Sequence, residues 1–252
     1  MLFARHCMFA IVAFRPNFTP EPDMSNIHFI GGEKGGVGKS LTARVLAQYM
    51  IDQNLPFIGF DTDRSHGTLL RYYADFASPI VLDRHDAFDA IIESASEDPE
   101  RRILVDLAAQ TYLPLVEWIE GADVLALAKE LGMKLTYWHV MDSGKDSVDL
   151  LEKLLDRFGH SLNLRIVRNQ LRGNDFSILE ASGLQARAEA MGAKVITIKK
   201  LADSIVLKID AGNSSFWAAT QAQDDGGLGL MDRQRVKIWL RDAYREIAEA
   251  GL

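Results

Sequence analysis

The chain of 252 residues holds a single cysteine, Cys7. That excludes an internal disulfide framework and any metal site built on two cysteines of one chain, and it fits a reducing, cytoplasmic setting. No uninterrupted apolar run approaches the roughly 20 residues a membrane span needs. Positive charge is also scarce: the formal net charge is −7 and the isoelectric point is about 5.4. This argues against a broad basic face for nucleic acid and leaves room only for a small local patch, so direct DNA binding stays open. Sequence repeats, low-complexity linkers and the Asn/Thr-Lys-x-Asp pattern of guanine readers are all missing. What is present is an apolar content of 48%, enough to bury a sizeable core in one large or two small domains.

The most informative stretch is Gly31-Gly32-Glu33-Lys34-Gly35-Gly36-Val37-Gly38-Lys39-Ser40. It follows a short apolar run, Ile27 to Ile30, and precedes a helical pattern, Leu41 to Met50. Strand, glycine loop and helix is the context a phosphate-binding loop requires. Glycines let successive N–H groups curl toward one anion, and the helix adds the positive end of its dipole. In this reading residues 35–41 (Gly35, Gly36, Val37, Gly38, Lys39, Ser40 and Leu41) cradle a nucleoside triphosphate. Lys39 reaches the β- and γ-phosphates, and the Ser40 hydroxyl ligates Mg²⁺.

Two acidic strand ends accompany the loop. Phe57 to Phe60 reads as a buried strand ending in Asp61-Thr62-Asp63, whose two carboxylates would face one side of an extended segment. Arg102-Ile103-Leu104-Val105-Asp106 reads as a second strand, whose three apolar residues end in the acid Asp106. At the carboxyl ends of parallel strands these acids can hold the waters of a bound Mg²⁺ and orient an attacking water. The competing assignment makes Asp61 and Asp63 a helix cap and a turn residue.

Elsewhere strands and helices alternate. Helical patterns are expected at Gly67 to Phe76, at His85 to Ala95 (capped by Asp83, with His85 at the surface), at Leu113 to Glu120, Ala122 to Leu131, Ser147 to Phe158 and Phe176 to Met191, and over Asp203 to Ile209. Strands are expected at Pro79 to Leu82, Leu135 to Val140, Leu162 to Val167 and Ala193 to Ile198, with Trp138 and His139 as core packing. Gln221 to Leu230 reads as an exposed loop. Arg233 to Ala250 reads as an amphipathic helix that packs on the domain, because Asp242, Glu246 and Glu249 dilute the basic face a membrane-surface helix needs. The fold class implied is α/β: one doubly wound, mostly parallel sheet with helices on both faces. Residues 24–252 form that domain. Residues 1–23, apolar and then carrying three prolines, read as a disordered extension or an over-long start.

The string Lys-Gly-Gly-Val-Gly-Lys-Ser, with Lys34 just inside the loop and no glycine at position 33, resembles the deviant phosphate loop of the ParA/MinD ATPases. The resemblance covers residues 24 to about 200. It implies that Lys34 crosses a dimer interface to the partner's phosphates, and that Asp61 stands on the magnesium side while Asp63 positions water. It implies further that Asp106 holds a magnesium-bound water and that Asn169, after its strand, reads the adenine edge. Arg64-Ser65-His66 departs from the family pattern after the second aspartate, and Lys199-Lys200-Leu201 departs from it where a proline usually lines the adenine pocket. Within the family, the runs Phe-Asp-Thr-Asp-Arg-Ser-His and Val-Asp-Leu-Ala-Ala resemble the TraL/StbB/MobD-like branch, linked to plasmid conjugation, mobilisation or stability. The implied function is a weak, Mg²⁺-dependent ATPase that dimerises with ATP and acts on a plasmid-transfer or DNA-bound protein partner. Two other readings stand beside it: an ATP-binding adaptor without turnover, and a small-molecule kinase or synthetase on the same fold.

Overall fold

A computed structural model describes residues 26–32, 34–63, 67–82, 85–222 and 227–252, without the side chains of 85 and 86. The expectations for residues 1–23, for the Asp83 cap and His85 side chain, and for Arg64-Ser65-His66 lie outside the described residues. Seven strands are present among them: β1 (Asn26–Gly31), β2 (Phe57–Asp61), β3 (Ala77–Pro79), β4 (Arg102–Asp106), β5 (Lys134–Met141), β6 (Asn163–Asn169) and β7 (Lys194–Ile198). They form a single sheet in the order β3-β2-β4-β1-β5-β6-β7, every pair parallel. Parallel strands buried on both faces read as near-continuous apolar runs, as β4 and β5 do.

The helices are α1 (Lys39–Asp52), α2 (Thr68–Tyr72), α3 (His85–Glu97), α4 (Tyr112–Gly121), α5 (Val124–Glu130), α6 (Lys145–Phe158), α7 (Ser177–Ser182), α8 (Leu184–Ala190), α9 (Asp203–Ala211), α10 (Phe216–Thr220) and α11 (Leu230–Glu249). They divide between the two faces. On one, Ile91 of α3, Trp118 of α4 and Leu151 of α6 share a core with Phe29, Val105 and Tyr137. On the other, Leu46 of α1, Leu69 of α2, Ile205 of α9, Phe216 of α10 and Trp239 of α11 share a core with Ile30, Leu104 and Trp138. The doubly wound sheet expected from the alternating pattern is the fold observed.

Helix α1 is buried on all sides from Thr42 to Met50, because it lies between the sheet and α2, α10 and α11. A rigid helix there fixes the direction of the glycine loop before it. Even Arg44 is buried, ion-paired to Asp210 at 3.0 Å and lying over the rings of Tyr72 and Phe216. Trp138 and His139 are core residues, as expected. The face of α11 formed by Val236, Trp239, Leu240, Ala243 and Ile247 is buried against the domain. None of the described helices is long and apolar enough to cross a membrane.

Three expectations need correction. Helix α2 stops at Tyr72, and β3 begins at Ala77 rather than Pro79, because Gly59 donates its N–H to Phe76 O at 2.7 Å and draws the chain onto the edge of β2 early. The helix expected over 176–191 is two helices, broken where Gly183 adopts φ 72°. Finally, Leu228, in the stretch read as an exposed loop, is buried in the core beneath α11.

Candidate nucleotide site

The chain leaves central β1 toward β2 and β3, returns to β4, and then continues on the far side through β5. Open α/β sheets bind ligands where the winding reverses, at the carboxyl ends of the strands. At those ends lie the glycine loop after β1, Asp61 of β2 with Asp63 just beyond it, Asp106 of β4 and Asn169 of β6. The sequence motifs therefore converge on one edge of the sheet.

Within the loop, Gly35 and Gly36 are exposed while Val37 is buried and anchors the turn. Gly38 takes φ 95°, and its carbonyl accepts from Thr42 N at 2.9 Å and Thr42 Oγ1 at 3.0 Å, which opens α1. A side chain at Gly38 would collide with the Asn169 amide, so both the backbone angle and the space require glycine. Lys39 is buried and donates from Nζ to Lys34 O at 3.2 Å. Burial lowers its pKa, and the charges of Asp106 and Asp63 oppose the shift. Its charge is thus held over the loop between the carbonyl of Lys34 and two acids.

Asp61 and Asp106 are register partners on adjacent strands, so their side chains stand on the α1 face together. Asp61 is buried; its Oδ1 accepts from Asp63 N and its Oδ2 from Leu70 N, each at 3.0 Å. It therefore ties the start of α2 to the site, and the capping role weighed from the sequence exists alongside its place in the acid cluster. Asp106 is buried with Oδ1 unpartnered among the described residues. Burial first, and the nearby Asp61 charge second, push its pKa up to about 7, while the Ser40 hydroxyl bond opposes that rise. Asp63 is half-buried, and its charge is felt by Lys39, Asp61 and Asp106.

Among the described residues no three His, Cys, Asp or Glu side chains form a cage for a metal ion. Mg²⁺ does not require one, since it keeps several waters and takes phosphate oxygens beside one or two protein ligands. An orphaned, buried carboxylate oxygen on Asp106 next to the Ser40 hydroxyl fits such an ion.

One contributor went unnoticed in the sequence. Thr62 accepts from Ala108 N through Oγ1 at 2.7 Å and donates its own N–H to Asp106 O at 3.1 Å, locking the two acidic strand ends together. A threonine between two aspartates carries no motif that marks it. Gln110 is exposed with φ 69°, and Thr111 Oγ1 donates to Ala108 O at 2.8 Å, the arrangement of a polar turn.

On the other flank, Lys34 Nζ lies 3.2 Å from Asp142 and 3.6 Å from Asp146, at the start of α6. Asp142 also accepts from Ser147 Oγ at 2.7 Å and Gly144 N at 3.1 Å. These hydrogen bonds hold its carboxyl below the ordinary range against the effect of burial. Asn169 is buried at the end of β6; its Oδ1 accepts from Leu171 N at 3.1 Å and its Nδ2 is unpartnered among the described residues.

No known protein-family profile matches the chain. It is similar to Protein MobD of Acidithiobacillus ferrooxidans, at 25% identity over 214 residues, spanning 83% of this chain and 93% of that one. It is also similar to a Protein TraL of Escherichia coli, at 26% identity over 249 residues, spanning 91% of this chain and 100% of TraL. Among solved structures it resembles the signal recognition particle receptor FtsY of Elizabethkingia anophelis, with a TM-score of 0.49 and 12% identity. That match covers 87% of this chain and 66% of FtsY, just under two thirds of its length. A nucleotide-binding protein of Archaeoglobus fulgidus in complex with ADP gives a TM-score of 0.48 and 15% identity, covering 74% of this chain and 86% of that one. Structural similarity this weak says nothing of activity.

Proposed function

We propose that this protein is a Mg²⁺- and ATP-dependent switch ATPase of the ParA/MinD type that dimerises when ATP-bound. The observation that carries the reading is the meeting of Lys39, Ser40, Asp61, Asp63 and Asp106 at the winding reversal of the sheet. Residues 35–41 receive the phosphates, Lys39 neutralises the β- and γ-phosphates, and Asn169 offers Nδ2, unpartnered among the described residues, to the adenine edge. Ser40, Asp61 and Asp106 would hold Mg²⁺ there. The ion supplies charge that offsets the negative charge on the transferred phosphoryl oxygens. Asp63 orients the attacking water. Lys34 leaves Asp142 and Asp146 to complete the partner subunit's site, and slow hydrolysis lets the pair separate.

The similarity to MobD and TraL supports a role in plasmid conjugative transfer, mobilisation or stability, with a transfer or DNA-bound protein as partner. The second reading, an adaptor that binds ATP without turnover, is favoured by one observation: Lys34 is satisfied within its own chain. Titration calorimetry with Mg·ATP and phosphate-release assays on the parent and Lys39→Ala, with and without a cognate transfer protein, test both. Parent binding with partner-stimulated release, both lost in Lys39→Ala, supports the switch. Binding without release under either condition favours the adaptor, and unchanged affinity and turnover in Lys39→Ala overturns the site.

A further inference from the structure

Among the described residues Arg172 joins Lys34 and Lys39 at the glycine loop, and no sequence motif accounts for it. Arg172 lies three residues beyond Asn169, in a turn closed by Gly173 N donating to Gln170 O at 3.3 Å. Its guanidinium packs on the loop at Gly36, where φ is 72° and any added side chain would strike Nη2. Its Nη1 lies 3.6 Å from Asp142 Oδ2, and the side chain is half exposed. Asp142 is a fixed, buried anion that already accepts from Ser147 Oγ and Gly144 N and pairs with Lys34 at 3.2 Å. The Arg172 contact is the longest of the four.

We propose that Arg172 is a phosphate-contacting residue of the nucleotide site, for which Asp142 and the nucleoside polyphosphate compete. The inference rests on the reading of the glycine loop as a triphosphate cradle. The physical grounds are a balance of partners. A half-exposed ion pair at such a distance is worth little. A polyphosphate on the loop beneath offers the same guanidinium several charged oxygens and the bidentate geometry it fits best. Asp142 then sets how readily Arg172 is released, and the length of the pair leaves it weakly held. Lysine at this position would keep the charge but lose the fork.

The test is a cycle of Arg172→Ala, Arg172→Lys and Asp142→Asn in Lys34→Ala protein, so that the other cation on Asp142 cannot contribute. Affinities for Mg·ATP and Mg·ADP are measured by calorimetry, and thermal melts without nucleotide report folding. Arg172→Ala should weaken nucleotide binding about tenfold or more with its melt unchanged, and Arg172→Lys should recover part of the loss. Asp142→Asn should tighten binding several-fold, and that gain should vanish when Arg172 is alanine. A purely structural Asp142 would give a lower melt and no gain. If Lys39→Ala abolishes binding while Arg172→Ala binds like its Lys34→Ala parent, Arg172 is a surface ion pair and the inference is wrong. If the unmutated protein binds no nucleotide, the nucleotide reading itself has failed, and this inference with it.

Discussion

Asp106→Asn should make the metal-free protein more stable while removing its response to Mg²⁺. The Asp106 carboxyl rises from an ordinary 3.8 to about 7, chiefly through burial and then through the Asp61 charge. Its folded-state pKa lies above the unfolded value. Its contribution is therefore fully present below pH 3.8 and is lost as pH rises through 7. Some three units at 1.36 kcal/mol each make the cost of an ionised Asp106 about 4 kcal/mol at pH 8. Asparagine has the same shape and cannot ionise. In EDTA at pH 8, urea denaturation should find the variant more stable by about 2–4 kcal/mol, allowing for the lost charge-assisted bond from Ser40. The gap should close toward pH 4. With Mg·ATP the parent should gain stability strongly and the variant little. Parallel pH profiles for the two proteins, or a variant less stable at pH 8, would show that ionising Asp106 carries no such cost.

Other perturbations separate neighbouring claims. His28 accepts from Trp138 Nε1 at 3.2 Å, and its pKa is lowered to about 3, by burial first and then by Arg102, Arg165 and Lys134. Its folded pKa lies below the unfolded 6.5, so stability should fall by about 3 kcal/mol between pH 6.5 and 4 on its account. His28→Asn, which keeps an acceptor, should flatten that acid limb in urea melts, and an unchanged limb would show the loss lies elsewhere. A methyl at Gly31 would meet the Tyr137 ring, whereas one at Gly35 meets nothing within 4 Å. Gly31→Ala should therefore cost about 1–3 kcal/mol and Gly35→Ala under about 0.5, both read by denaturant midpoints. Trp239 is buried against Phe216 at 5.2 Å and donates to Lys199 O at 2.6 Å. Trp239→Ala should cost about 3–5 kcal/mol in the same assay. A helix used for membrane attachment would instead lose vesicle binding at unchanged stability.

The parallel sheet and the position of the glycine loop were legible because each rests on local pattern: short apolar runs ending in Gly, Asp or Asn, and a glycine string set between a strand and a helix. What escaped was settled by tertiary contact. The helical spacing of Ile178, Ala181, Leu184, Ala188 and Met191 runs straight through Gly183, and a glycine inside a helix costs only about 1 kcal/mol, so periodicity could not show the break. Leu228 looked like part of a loop because its neighbours are Gln, Asp and Gly, and one buried leucine there has no period. Lys34 matched a family position, but its pairing with Asp142 and Asp146 depends on β5 lying beside β1. Arg172 and Thr62 touch the site from ordinary sequence, and only the packing of the loops after β2, β4 and β6 brings them there.

A nucleotide-timed change of assembly should be visible by light scattering of Asp63→Ala protein. The solution mass should be that of a dimer with Mg·ATP and of a monomer with Mg·ADP or no nucleotide, and adding Lys34→Ala should return the ATP sample to monomer. A mass indifferent to nucleotide would rule out the ATP-bound dimer and leave Lys34 as the partner of Asp142 and Asp146 alone.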